Sequence, residues 1–272
     1  MTDATDLVAR GALKGMVVAI SVSDSADLGR LGLSARHCDL AVAEIARSVL
    51  LSGGDIAYGG RLVPAGFTQI VMDEVTRFAG DRDALTIYLA ASEHASMSSG
   101  EIRQFHNEHH ASIRLVCLDE AGSPVAPDER DMSEPADPST ALTGMRRHIA
   151  SAADAHVVVG GQLAGVKGAM PGLLEEALFG LEAEHPVFVA GGFGGAAAAV
   201  ARALGTDDGH WAPEGYPRHA EMWREPLEQI AALATRQADD GLTDQQRREL
   251  AVTHRPADIA SLVVLGLARS ST

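Results

Sequence analysis

Glu175 and Glu176 stand one turn into a stretch that opens at Pro171-Gly172, where the positive end of a helix dipole favours acids on its own account. Carboxylates placed there can also grip ribose hydroxyls or stabilise a developing oxocarbenium ion. Neighbouring helical residues point about 100° apart, so the two cannot serve equally, and position alone favours neither. Upstream, Gly161-Gln162-Leu163-Ala164-Gly165-Val166-Lys167 looks like a phosphate loop, but only three residues separate its glycines. Gly168 also stands where a Ser or Thr would hold Mg²⁺, so triphosphate hydrolysis is not expected, and Lys167 stays a candidate phosphate contact. Gly192-Phe193-Gly194-Gly195-Ala196-Ala197 fits Gly-x-Gly-x-x-Ala, yet it follows the last strand and has no later acid for a ribose, which argues against dinucleotide-dependent oxidoreduction. His106, His109 and His110 cluster with Glu108, but they lack zinc-protease spacing and read as a solvated polar helix. No metal and no cofactor are expected, and no Gly-x-Ser-x-Gly elbow supports serine hydrolysis.

Four predicted strand ends carry small residues: Ser21-Val22-Ser23, Gly59-Gly60-Arg61, Gly160-Gly161 and Gly191-Gly192. A single glycine pair after a strand need make only a tight turn. Four of them converge, because the ligand crevice of an open α/β sheet lies beyond the carboxyl ends of its strands. Glycine lets backbone approach a ligand closely, and the helix starts that follow offer free N–H groups, so phosphate is the expected tenant.

The elements that must hold these loops are legible as alternating apolar runs and amphipathic stretches. Strands are expected near 16–20, 55–58, 85–89, 113–118, 155–159 and 186–190, with helices near 34–51, 67–78, 141–153, 173–181 and up to 204. That order predicts an α/β, Rossmann-like open sheet, mostly parallel, with helices on both faces. Residues 1–204 would form the nucleotide-binding domain, and 205–272 an irregular segment and a helical C-terminal extension packed on it. The stretch 119–139, rich in acids and prolines, is expected to be a mobile loop or lid.

The 272 residues are 46% hydrophobic, 22% charged and 4% aromatic, which excludes a disordered or collagenous chain. Lys and Arg number 22 against 37 Asp and Glu, a net charge of −15, so no nucleic acid and no anionic membrane is expected as a partner. Cys38 and Cys117 read as buried thiols of a reducing compartment. The acidic start without an apolar run indicates no signal peptide, and no stretch approaches the ~18 apolar residues of a membrane span, so a cytoplasmic protein is expected.

Ser21-Val22-Ser23, Ala57-Tyr58-Gly59-Gly60, Gly160-Gly161, Lys167 to Glu176 with its Met170-Pro171-Gly172-Leu173-Leu174-Glu175-Glu176, and Gly191-Gly192-Phe193-Gly194-Gly195 together resemble the SLOG superfamily of Rossmann-like domains. The likeness runs from about Met16 to Leu204 and is nearest to the prokaryotic defence-associated branches, such as the ThsA sensor domain. It implies binding of a nucleotide-derived, ADP-ribose-like ligand by Ser21, Ser23, Gly59, Gly60, Arg61, Gly160, Gly161, Lys167, Met170, Pro171, Gly172, Gly191, Gly192, Phe193 and Gly194. It also implies a homo-oligomer. The family's phosphoribohydrolases carry Pro-Gly-Gly-x-Gly-Thr-x-x-Glu, whereas here Pro171-Gly172 runs directly into Leu173-Leu174. Binding is therefore the first expectation. Cleavage of a nucleoside 5′-monophosphate, with Glu176 or Glu175 as the catalytic carboxylate stabilising the ribosyl cation and Arg61 or Lys167 holding the phosphate, is the alternative, and a non-catalytic scaffold is a third.

Overall fold

The computed structural model describes residues 8–62, 66–109, 111–133, 137–236 and 239–270; His110, Pro135 and the acidic start lie outside them. Seven strands form one sheet in the order β5-β4-β3-β2-β1-β6-β7. They are β1 (Val17–Ser23), β2 (Asp55–Gly59), β3 (Leu85–Leu89), β4 (Ile113–Leu118), β5 (Pro124–Val125), β6 (Ala155–Gly160) and β7 (Val187–Ala190). Every pairing is parallel except β4 with β5. The helices are α1 (Ala35–Leu51), α2 (Phe67–Phe78), α3 (Ala91–His94), α4 (Ser99–His109), α5 (Pro138–Ala152), α6 (Gly172–Glu182), α7 (Gly195–Ala203), α8 (Arg224–Leu233), α9 (Asp244–Val252) and α10 (Pro256–Ser270).

The expected Rossmann-like α/β architecture is present. From β1 the chain steps outward through β2, β3 and β4, then returns to lay β6 on the other side of β1. The loops after β1 and β6 therefore diverge and leave a crevice between them. Helices on both faces explain why β6 reads as an unbroken apolar run, since all six of its residues are buried. In α1, Cys38, Ala41, Val42, Ile45 and Val49 recur at helical spacing and are buried. They share a core with Ile20 and Ile56 of the sheet and with Ile259, Val263 and Leu267 of α10. On the opposite face, Met145 and Ile149 of α5 pack on Ala19, Ala57 and Tyr88.

Two expectations change. Residues 119–133 are folded onto the sheet edge rather than free: Cys117 pairs with Val125 in the β4–β5 ladder, and Asp119 N–H donates to the Ser123 carbonyl at 2.9 Å. Arg130, 6% exposed, clips the segment down by donating to the carbonyls of His94 (2.8 Å), Met97 (2.9 Å) and Pro127 (3.0 Å). Those bonds compensate for the scant apolar surface on which the expectation of mobility rested.

The second change concerns Gly191, Gly192, Phe193 and Gly194. All four are buried, and a Cβ on Gly192 would strike the Thr253 carbonyl that follows α9. The start of α7 is already capped: Asp27, fully buried, accepts from Gly195 N–H at 2.9 Å and from Arg218 N–H at 3.3 Å. An internal carboxylate thus occupies the anion position that this helix start would offer a ligand. Gly195 has φ +58°, and a Cβ there would collide with the Gly161 carbonyl. Gly195→Ala is expected to lose about 2–3 kcal/mol through strain and displacement of that carbonyl. Urea unfolding would read the loss, and a change under 0.5 kcal/mol would contradict this packing.

Candidate functional site

Beyond the carboxyl ends of β1, β2 and β6 lies a cleft of about 410 Å³. Of the residues expected there, Ser23, Gly59, Gly60, Arg61, Lys167, Met170, Gly172 and Glu176 line it. Ser21 is buried behind Glu176 and donates to its carboxylate. Gly160, Gly161 and Pro171 support the wall instead. Gly161 has φ +99°, takes the Ser23 carbonyl at 2.8 Å on its N–H and offers its own carbonyl to Ala196 N–H at 3.1 Å. That glycine brings backbone close to backbone, joining the end of β1 to β6 and α7. Pro171 is the residue before α6 and sets its start. Gly191 to Gly194 lie outside the lining, under the C-terminal segment.

The acid pair separates. Position along the chain favours neither, and the structure makes Glu175 the more buried: its side chain is 3% accessible against 16% for Glu176. Glu175 accepts from Thr143 Oγ1 at 2.6 Å and from Arg146 Nη1 at 2.5 Å, both on α5. Glu176, one helical step on, turns to the cleft, with Arg146 Nε 3.5 Å from its Oε1. Burial is the largest influence on its carboxyl and raises it to about 7; Arg146 opposes the rise and Glu175 adds to it. Glu176 is therefore partly protonated at neutral pH, and it lines the cleft.

Arg146 is the residue that sequence reading missed. It lines the cleft, bonds Glu175, and its Nε is buried without a hydrogen-bond partner among the described residues. Its guanidinium lies over Gly172 and Gly168, where Cβ atoms would come within 2.6 Å and 3.0 Å of its nitrogens. These glycines make room for an arginine at the start of α6, where a phosphate cradle would need open N–H groups. A signal existed: Arg146 follows Met145 on a helix whose Leu142, Met145 and Ile149 face inward at helical spacing. Arg61 is held by Glu93 of α3, Nε to Oε2 at 2.7 Å, and both line the cleft. Lys167 lines it with no ion-pair partner among the described residues.

His106 and His109 lie on α4, remote from the cleft, where His109 packs on Phe105 with ring centres 4.6 Å apart. Among the described residues no group of His, Cys, Asp and Glu could hold a metal ion, and no helix is long and apolar enough to cross a membrane. Cys38 is buried, and its thiol is pushed up to about 12 by that burial and by Asp24 and Asp39.

No curated protein matches the chain. The SLOG cluster2 family model does, over residues 12–256, a span that takes in every strand and the Glu176 cleft and ends only where α10 begins; the chain belongs to that family.

Proposed function

We propose that the cleft binds a nucleotide-derived ligand, a phosphorylated nucleoside of the ADP-ribose kind, as a signal or substrate. The observation that carries this reading is the pairing, within one crevice, of a cation without an ion-pair partner among the described residues, Lys167, with a largely buried carboxylate that lines the cleft, Glu176, already oriented by Ser21 and Arg146. An anion and a vicinal diol are what that pair can hold: ammonium to phosphate, carboxylate to ribose hydroxyls. In a chain of net charge −15 the long-range field repels anions, so affinity must come from such local contacts. SLOG membership supports the same class of ligand.

A second reading, hydrolysis of the N-glycosidic bond, is favoured by one observation, the Glu176 carboxyl near 7 at the edge of the cleft. As a carboxylate it could stabilise a ribosyl cation, and as an acid it could protonate a leaving base. Binding is preferred because both Glu176 oxygens already face protein partners and Arg146 covers the start of α6.

Titration with a panel of nucleoside mono- and diphosphates and ADP-ribose, each mixture then separated by chromatography, tests both. Saturable binding with the nucleotide recovered intact is the expected result. Lys167→Ala should weaken binding about tenfold and flatten its dependence on salt. Unchanged affinity in that variant would remove Lys167 from the site, and steady release of free base would establish the hydrolase.

A further inference from the structure

Beneath the cleft, β6 buries an imidazole. His156 is 1% exposed, and neither of its ring nitrogens has a hydrogen-bond partner among the described residues. An apolar side chain would fill this place with no polar ring left unsatisfied. The fit is close: Gly180 of α6 lies on the ring, where a Cβ would come within 2.7 Å of its Cδ2. His185, in the turn from α6 to β7, supplies a second imidazole, with ring centres 5.8 Å apart and planes 16° from parallel. Position ties this pair to the cleft. Gly180 is four residues after Glu176, one turn further along the same face of α6. In the β1–β6 ladder Ala19 pairs with His156 and Ser21 with Val158, so the bond from Ser21 to Glu176 stands one layer of side chains above His156.

Nothing around the ring would hold a second proton. His185 would repel it, and Gly180 on α6, Ala19 on β1 and Val187 on β7 carry no charge. Glu182 and Glu184, at the end of α6, are exposed to solvent. The neighbouring helices keep their charges elsewhere: Arg146, Arg147 and His148 of α5 are engaged by Glu175, Phe179 and Tyr88, and Arg202 of α7 lies over Tyr216. Burial first, and His185 second, accordingly lower the His156 imidazole to about 4.

From this placement we infer that His156 is an acid-sensitive latch on α6: to take up a proton its imidazole must leave the space under Gly180, α6 lifts from the sheet, and Glu176 loses its place against Ser21. The direction is fixed. The folded protein binds this proton less readily than the unfolded chain, so the latch holds above about pH 6.5 and fails as pH falls towards 4. That is opposite in sign to Glu176, whose protonation favours the folded state. The latch acts on a wall of the cleft whatever the cleft binds, so it stands apart from the nucleotide reading.

The test is hydrogen exchange of the ligand-free full chain, read peptide by peptide between pH 7 and pH 4 and corrected for the intrinsic exchange rate at each pH. Over that range the opening constant of α6 should rise about a hundredfold in the wild type relative to His156→Leu, a comparison in which the Glu176 contribution cancels. At pH 4 the wild-type α6 should also open about tenfold or more ahead of α1, because the latch frees one helix before the core melts. The same pH dependence of α6 in His156→Leu would overturn the inference. So would α6 and α1 opening together at pH 4, since His156 would then titrate only on global unfolding. Should His156→Leu fail to fold, the wild-type comparison of the two helices decides.

Discussion

Arg146→Met should cost the protein about 3–5 kcal/mol at pH 8, because it leaves Glu175 buried and Glu176 beside it with no counter-charge. For a chain of this size that is a fall in Tm of roughly 10 °C. The loss should depend on pH with a definite sign. Without the guanidinium the Glu176 carboxyl, which Arg146 holds down, is raised further in the folded state, so the folded protein holds a proton that the unfolded chain releases. Stability then falls as pH rises from the unfolded carboxylate range, near 4.3, towards neutrality. The gap from wild type should thus be widest at pH 8 and shrink towards pH 5. Adding Glu175→Gln to Arg146→Met should recover at least half of the loss at pH 8. A single variant within 1 kcal/mol of wild type at that pH would mean that Arg146 is not the counter-charge of the pair.

Glu176→Gln is expected to act in opposite directions on stability and on binding. A folded-state carboxyl near 7, against about 4.5 in the unfolded chain, means that ionised Glu176 opposes folding by roughly 3 kcal/mol above neutrality. Wild-type stability should decline from this source between about pH 4.5 and 7 and then level off. The amide removes that slope and should raise the midpoint for urea unfolding of the ligand-free protein at pH 8, while its oxygen can still accept from Ser21. Ligand affinity should fall about 10–100-fold, the equivalent of ~1.5–3 kcal/mol for a charged hydrogen bond. Were the protein a glycosidase, affinity would hold and turnover would drop by orders of magnitude. A carboxylate kept at the expense of stability is expected where function requires it. Loss of both stability and binding in Glu176→Gln would instead make Glu176 a structural group.

Much of the architecture was legible from local pattern. The β1, β2, β3, β4, β6 and β7 runs are apolar because parallel strands are covered on both faces, and the stretches between them carry helical spacing. Both are properties of neighbours along the chain. The crevice followed too, since loops after parallel strands emerge on one side of the sheet whatever their sequence.

What stayed hidden depends on residues far apart in the chain. Gly60 and Gly191 have the same type and the same place directly after a strand, yet one lines the cleft and the other is roofed by the end of α9, some sixty residues on. Glu175 and Glu176 are adjacent in sequence and differ only in rotation about α6. Which of them faced solvent was decided by Thr143 and Arg146 on α5, a helix laid against α6 by the sheet. Residues 119–133 look mobile by composition, and Arg130 pins them through carbonyls that the fold alone brings within reach. Sequence pattern settled the periodicity of the elements because backbone geometry repeats locally. The partners of charges and glycines were settled only by tertiary structure, because burial and counter-charge are properties of the surroundings in space.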